Sequence, residues 1–209
     1  MITPTDFAKI ISCTQCSITS PPRLLRDHNE NVPQPGFIGP QYMNHRVLLV
    51  GQNPGICSPR FEKCDSIYTS ALRAVRDCPT DVKLTELTKI LIEFVQKWPI
   101  HGRYFPLAEC NLTLNDIAYI NVVRCRTVGN AAPNEKIVGN CLGHFKYWVE
   151  ALQPNVIIFL GKWAYQHAKH IPDNLEIPCD FINRMRSLSS TERESNRKRV
   201  ISLVHNFAG

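Results

Sequence analysis

Carboxamides, one imidazole and a set of thiols are the side chains of this 209-residue sequence whose types and spacing invite chemistry. The turn Gly51, Gln52, Asn53, Pro54, Gly55 follows directly on the apolar run "RVLLV", so two side-chain amides stand where a strand stops. A carboxamide is no base near neutral pH, but it donates and accepts hydrogen bonds, and so can orient a water or read a pattern of donors and acceptors. A third amide, Asn121, closes the run "DIAYI", with Arg124, Cys125 and Arg126 close behind, and His205 follows "RVISLV". A neutral imidazole in such a place can donate to an anion that builds up during a reaction. Cys13 and Cys16 form a C-x2-C pair, while Cys125 and Cys141 are separated by fifteen residues. Four thiolates hold either a tetrahedral zinc or a 4Fe-4S cluster, and spacing alone does not separate the two.

Each of these residues also has a plain structural use. Asn and Gly in a strand-to-helix turn cap helices or accept positive φ. A lone His after a strand is often structural, and cysteines are common in cores. The functional reading rests on three such groups recurring at equivalent strand ends, which packing does not require.

The elements that would position them follow from periodicity. "RVLLVG", "DIAYINVV", "VIIFLG" and "RVISLV" are apolar runs of strand length, and "SIYTSALRAVRDC", "LTELTKILIEFVQKW", "NEKIVGNCLGHFKYWVEAL" and "KWAYQHAKHI" have helical spacing. Strands apolar along their whole length and separated by helices predict one α/β domain over residues 1–209, a central, mostly parallel sheet with helices on both faces. Such sheets bind ligands beyond the carboxyl ends of their strands. Ahead of the sheet, "TPTDFAKIISC" reads as a short helix capped by Thr3 or Thr5, with Phe7, Ile10 and Ile11 on one side. The proline-rich stretch "SPPRLLRDHNENVPQPGFIGPQYMNH" reads as a loop that wraps rather than links, because Leu24, Leu25, Phe37 and Ile38 need burial. Residues 1–45 thus form an amino-terminal segment carrying the first cysteine pair.

With 24 Lys and Arg against 18 Asp and Glu, the net charge of +6 favours a polyanionic partner without deciding for one. No run of 18 apolar residues occurs, and the start lacks a basic stretch followed by a long apolar one, so neither membrane nor secretion is expected. A cytoplasmic, nucleoid-associated location is the expectation, where nine cysteines argue for metal or cluster ligation over a disulfide framework. Cys57, Cys64, Cys78, Cys110 and Cys179 are then free thiols.

The ordered set of motifs resembles the uracil-DNA glycosylase superfamily. "GQNPG" is similar to its first motif, "INVVRCR" to the segment "TNVVKCRP" of its iron-sulfur branch, and "LVHNFAG" stands where the superfamily has a histidine motif of the "HPS" or "HPA" kind. "VPQPG" and "PNVIIFLGKWA", the latter similar to "PKVIVLLGxxA", extend the likeness along the chain. The resemblance implies an enzyme that flips uracil, or a related deaminated base, out of DNA and hydrolyses its N-glycosidic bond, acting as a monomer with DNA as partner. It implies that Gln52 or Asn53 holds the attacking water, Asn121 reads the base and His205 steadies the departing anion. Gly51, Pro54 and Gly55 would shape the pocket, and Phe61 or Tyr68 would stack on the base. The same likeness assigns Cys13, Cys16, Cys125 and Cys141 to a structural 4Fe-4S cluster, favoured over zinc. Where the iron-sulfur branch usually reads "GEAPG", this chain has Gln52 and Asn53, as in the "GxNPG" of mismatch-specific and single-strand-selective glycosylases.

Phosphate contacts are expected from Arg184, Arg186, Arg197, Lys198 and Arg199, just ahead of the histidine. Two other classes remain open. One is a nucleic-acid-binding or zinc-stabilised α/β protein without glycosylase activity, favoured by the missing carboxylate and the unusual "HNF". The other is a glycosylase that forms a covalent DNA adduct through histidine.

Overall fold

The first helix forms where a capping box and apolar spacing coincide. Thr3 caps it, with its hydroxyl accepting from the Asp6 backbone while the Asp6 carboxylate accepts from the Thr3 backbone, and Phe7, Ile10 and Ile11 are buried. In this computed structural model, residues 2–17, 19, 21–27, 31–97, 105–183 and 189–208 are described. The helices are α1 (Pro4–Ile11), α2 (Tyr42–His45), α3 (Glu62–Asp77), α4 (Asp81–Gln96), α5 (Glu135–Leu152), α6 (Lys162–Ala168), α7 (His170–Asn174) and α8 (Ser190–Phe207). The strands are β1 (Leu24–Leu25), β2 (Phe37–Ile38), β3 (Val47–Gly51), β4 (Ile117–Asn121), β5 (Arg126–Thr127), β6 (Val156–Leu160) and β7 (Cys179–Ile182).

The chain gathers into two compact units. The first comprises Met1–Gly36, Asn53–Phe94 and Asn121–Ala151, and the second Phe37–Gln52, Val95–Ile120 and Leu152–Gly209. The fold is α/β with a central, mostly parallel sheet in the strand order β2-β4-β3-β6-β7. β3 pairs in parallel with β6, Val47 opposite Val156 and Val50 opposite Phe159, and β6 pairs in parallel with β7. β2 joins β4 antiparallel at the edge. All five residues of β3 are buried, as expected of a strand covered on both faces. Each fully buried Val or Leu there contributes about 1.5–3 kcal/mol relative to exposure.

In the second unit α6 and α8 pack on β6 and β7. α8 corrects the strand expected over "RVISLV". Ser189 and Glu192 form a capping box at its start, and Asn196, Val200 and Val204 are its buried residues, four apart on one helical face. The parallel strand beyond β6 is instead β7, whose carbonyl at Phe181 accepts from the Asn196 side chain at 2.9 Å. "KWAYQHAKHI" divides into α6 and α7, because Pro172 has no N–H with which to continue the first helix.

In the first unit α1 packs against α3, and the proline-rich stretch lies along the segment after β4. β1 pairs antiparallel with β5, and the Gln34 N–H donates to the Arg124 carbonyl at 2.8 Å. The wrapping loop therefore buries Leu24 and holds residues 121–128 in place.

Candidate functional site

β3 ends at Gly51, and the turn that follows is fixed by side chains from β5 and the segment just after it. Asn53 Nδ2 donates to the Pro54 carbonyl and to Thr127 Oγ1, both at 3.3 Å. The Thr127 hydroxyl donates in turn to the Ala131 carbonyl at 2.6 Å. Further along the turn, the Ile56 N–H donates to Asn130 Oδ1 at 2.7 Å. Asn130 has a φ of 55°, a left-handed conformation that Asn tolerates better than most residues. A Cβ on Gly55 would meet that Asn130 oxygen at 3.7 Å, an ordinary contact, so space alone does not demand glycine there. Gln52 and Asn53 are half-buried, Gly51 and Pro54 buried, and Gly55 exposed. Neither Thr127 nor Asn130 was marked by its type or spacing; only the folded turn reveals them.

Asn121 is the last residue of β4 and only 4% exposed. The cations behind it turn inward. Arg124 donates from Nη1 to the Pro35 carbonyl at 2.8 Å and lies over the Trp148 ring, 5.1 Å from its centroid. Arg126 grips the Asp65 carboxylate with both Nη groups, one of them at 2.9 Å. Both guanidiniums are thus engaged inside the first unit.

The two candidate stacking aromatics differ in exposure. Phe61 closes a 3-10 turn ahead of α3, half-buried, and meets the edge of Phe94 with centroids 6.1 Å apart. Tyr68, on α3 and also against Phe94, is 2% exposed. A ring so enclosed is core and presents no face to a base.

The four paired cysteines all belong to the first unit. Cys16, Cys125 and Cys141 are buried and Cys13 half-buried. The Cys141 thiol donates to the Cys16 sulfur, which pushes Cys141 up and holds Cys16 below the usual thiol range; Asn140 Nδ2 adds a bond to Cys16 at 3.4 Å. Burial pushes Cys125 up to about 12, with Arg26 opposing and Cys13 and Cys16 adding to the rise. As arranged, no three His, Cys, Asp or Glu side chains among the described residues converge to hold a metal ion. The donor chemistry nevertheless fits a thiolate-held group. Arg26, which bonds the Cys16 carbonyl at 2.6 Å, has Nε and Nη1 buried without a hydrogen-bond partner, a cation suited to balancing thiolate charge.

His205 lies in the last turn of α8, exposed, with Nε2 3.2 Å from the Glu109 carbonyl. It belongs to the second unit, as do Gly51 and Gln52, whereas Asn53 and Asn121 belong to the first. The strand-end position that grouped His205 with the amides is therefore corrected to a helical one. Arg184 and Arg186 lie outside the described residues. Arg197, Lys198 and Arg199 sit on α8 in ion pairs with Glu109, Glu194 and Asp180 respectively.

The fold is thus of the α/β class with a mostly parallel sheet, and β3 and β4 both end at side-chain amides, the end of the sheet at which proteins of this class bind their ligands. Residues 39–206 match the family model described as the uracil DNA glycosylase superfamily, and the chain belongs to that superfamily. It is also similar to a type-4 uracil-DNA glycosylase of Archaeoglobus fulgidus, at 30% identity over 100 residues, 47% of this chain and 49% of that protein. The likeness spans about half the length of that relative.

Proposed function

We propose that the chain is a DNA glycosylase that hydrolyses the N-glycosidic bond of uracil, or of a related deaminated base, to leave an abasic site. The observation that carries the reading is Asn121, buried at the end of β4 in a member of this superfamily. In the reaction a water oxygen bonds to the anomeric carbon as the carbon–nitrogen bond breaks, and the bonding pair leaves with the base. Positive charge develops on the sugar and negative charge on the base. The base reaches such a pocket only after flipping, at about a few kcal/mol.

The Asn121 carboxamide donates to uracil O4 and accepts from N3–H, a pattern that cytosine reverses. Asn53, with Gln52 as its neighbour, orients the water. An amide takes no proton, so the water gives up its proton only as it bonds to the cationic sugar, and the departing base anion takes up one proton, directly or through solvent. Phe61, partly open, suits the stacking wall better than Tyr68, while Gly51, Pro54 and Gly55 shape the turn. The role of His205 as donor to the departing anion is supported by the resemblance of "LVHNFAG" alone. Arg197, Lys198 and Arg199, together with Arg184 and Arg186, would meet phosphates, and the exposed ion pairs on α8 are weak enough to yield to them.

Cys13, Cys16, Cys125 and Cys141 would hold a 4Fe-4S cluster. When bound, it supplies a covalent tie between the amino-terminal segment and the chain after β4 rather than a redox step. The likeness to a type-4 uracil-DNA glycosylase supports uracil as the base.

The test is incubation with single- and double-stranded oligonucleotides bearing uracil, hypoxanthine or xanthine, scored for abasic sites. Uracil release is expected. DNA binding without abasic sites on any substrate would favour the non-catalytic reading that the amide at position 52 suggests, and a gel-stable adduct would favour covalent attack.

A further inference from the structure

Thr127 is fully buried, yet it is the residue that ties the Asn53 side chain to the segment after β5. A threonine hydroxyl has one proton, and here it goes to the Ala131 carbonyl at 2.6 Å. Thr127 Oγ1 therefore offers Asn53 only lone pairs. The Pro54 carbonyl, also 3.3 Å from Asn53 Nδ2, is a second acceptor on the same end of the amide. Turning the carboxamide over would set its oxygen against both, so the network itself decides which end is nitrogen. Nδ2 is held inward, and Oδ1 accepts no hydrogen bond among the described residues. Gln52 has no such clamp among the described residues.

We infer that Thr127 is a positioning residue that fixes the polarity of the Asn53 amide, leaving Oδ1 as the acceptor that aims the attacking water. The inference rests on the uracil-excision reading and deepens it, because it separates Asn53 from Gln52. A water that donates one hydrogen to Oδ1 keeps a lone pair for the anomeric carbon; an inverted amide would offer N–H instead and draw that lone pair away. Thr127 acts on the reaction only through Asn53.

The test compares Thr127→Val, which keeps the shape and removes the hydroxyl, with Thr127→Ser, which keeps the hydroxyl. In single turnover on saturating uracil-containing DNA, T127V should be slower by about fivefold, the worth of one ordinary neutral hydrogen bond, with DNA affinity unchanged. T127S should hold the parent rate. In an Asn53→Ala background, T127V should cost nothing more, since there is no amide left to orient. A parent rate in T127V, or an equal further loss on top of N53A, overturns the inference.

A second measurement does not depend on activity. The side-chain NH2 resonances of Asn53, assigned by their disappearance in N53A, should exchange slowly with water in the parent and T127S, and rapidly in T127V. Rapid exchange in the parent overturns the clamp even if T127V does not fold. A parent protein that excises no uracil defeats the reading of function, and the exchange data then decide the hold of Thr127 separately.

Discussion

Asn121 and His205 illustrate two kinds of residue-level knowledge. Asn121 ends β4 with 4% of its surface exposed, and a buried amide must satisfy donor and acceptor together. If Asn121 reads the base, replacing it by aspartate removes the donor offered to uracil O4 and leaves acceptors for a cytosine amino group. N121D should thus lose uracil excision by a factor of about a hundred and gain detectable cytosine release, read by product analysis on uracil- and cytosine-containing DNA. His205 sits on an exposed helix end beside the Glu109 carbonyl. If it donates to the departing base, H205A should slow single-turnover cleavage by roughly a hundredfold at unchanged DNA affinity. Cleavage at the parent rate would move that role to another donor.

At the scale of elements, the edge between β2 and β4 depends on a missing side chain. The Gly39 N–H donates to the Ile117 carbonyl at 2.9 Å, and a Cβ there would lie 2.2 Å from the Asn115 carbonyl oxygen and 2.5 Å from its carbon. Because the obstacle is backbone, it cannot swing aside. Gly39→Ala should lower stability by about 1–3 kcal/mol, visible as a shifted urea midpoint with an unchanged slope. α8 depends on its cap. Ser189→Ala, which removes the hydroxyl that accepts from the Glu192 N–H, should cost about 1 kcal/mol and speed amide exchange in the first turn of the helix. The same cap shows why the strand expected over "RVISLV" is absent. A five-residue apolar window does not distinguish strand from helix, whereas Ser189, Glu192, Asn196, Val200 and Val204 are readable as one helix only over a longer stretch.

Charge and thiol chemistry belong to the whole molecule. If α8 meets phosphates, neutralising Arg197, Lys198 and Arg199 together should weaken binding to every DNA sequence and reduce the salt slope by about 0.7–0.9 per lost contact. An unchanged slope would remove α8 from the DNA-contacting surface. If Cys13, Cys16, Cys125 and Cys141 hold a 4Fe-4S cluster, serine at any of them should abolish iron and sulfide in anaerobically prepared protein, while serine at the exposed Cys78 should not; zinc without iron in the parent would overturn the cluster assignment. The amino-terminal helix adds a pH signature. Burial pushes Asp6 up, but hydrogen bonds from Thr3 and Lys9 outweigh it and hold the carboxyl below its ordinary 3.8. A lowered native pKa means that the stabilisation is complete above 3.8 and is lost as the pH falls through the native value. Asp6→Asn should therefore flatten the loss of stability on acidification, measured by thermal unfolding across that range.

Features governed by local rules can be read from the residues alone. β3, β4 and β6 were legible because strands covered on both faces must be apolar throughout, and α1, α3, α4 and α5 because their buried faces recur at helical spacing. The strand-end placement of Gln52, Asn53 and Asn121 was legible because each follows directly on an apolar run of strand length. Long-range packing settles that β7 rather than residues 199–204 pairs with β6, that Tyr68 is core, and that Arg124 and Arg126 are engaged by Pro35 and Asp65. It alone set Thr127 against Asn53, seventy-four positions along the chain. A hydrogen bond between residues so far apart leaves no periodicity to read, since its partners are chosen by how strands and loops close on one another rather than by their neighbours in sequence.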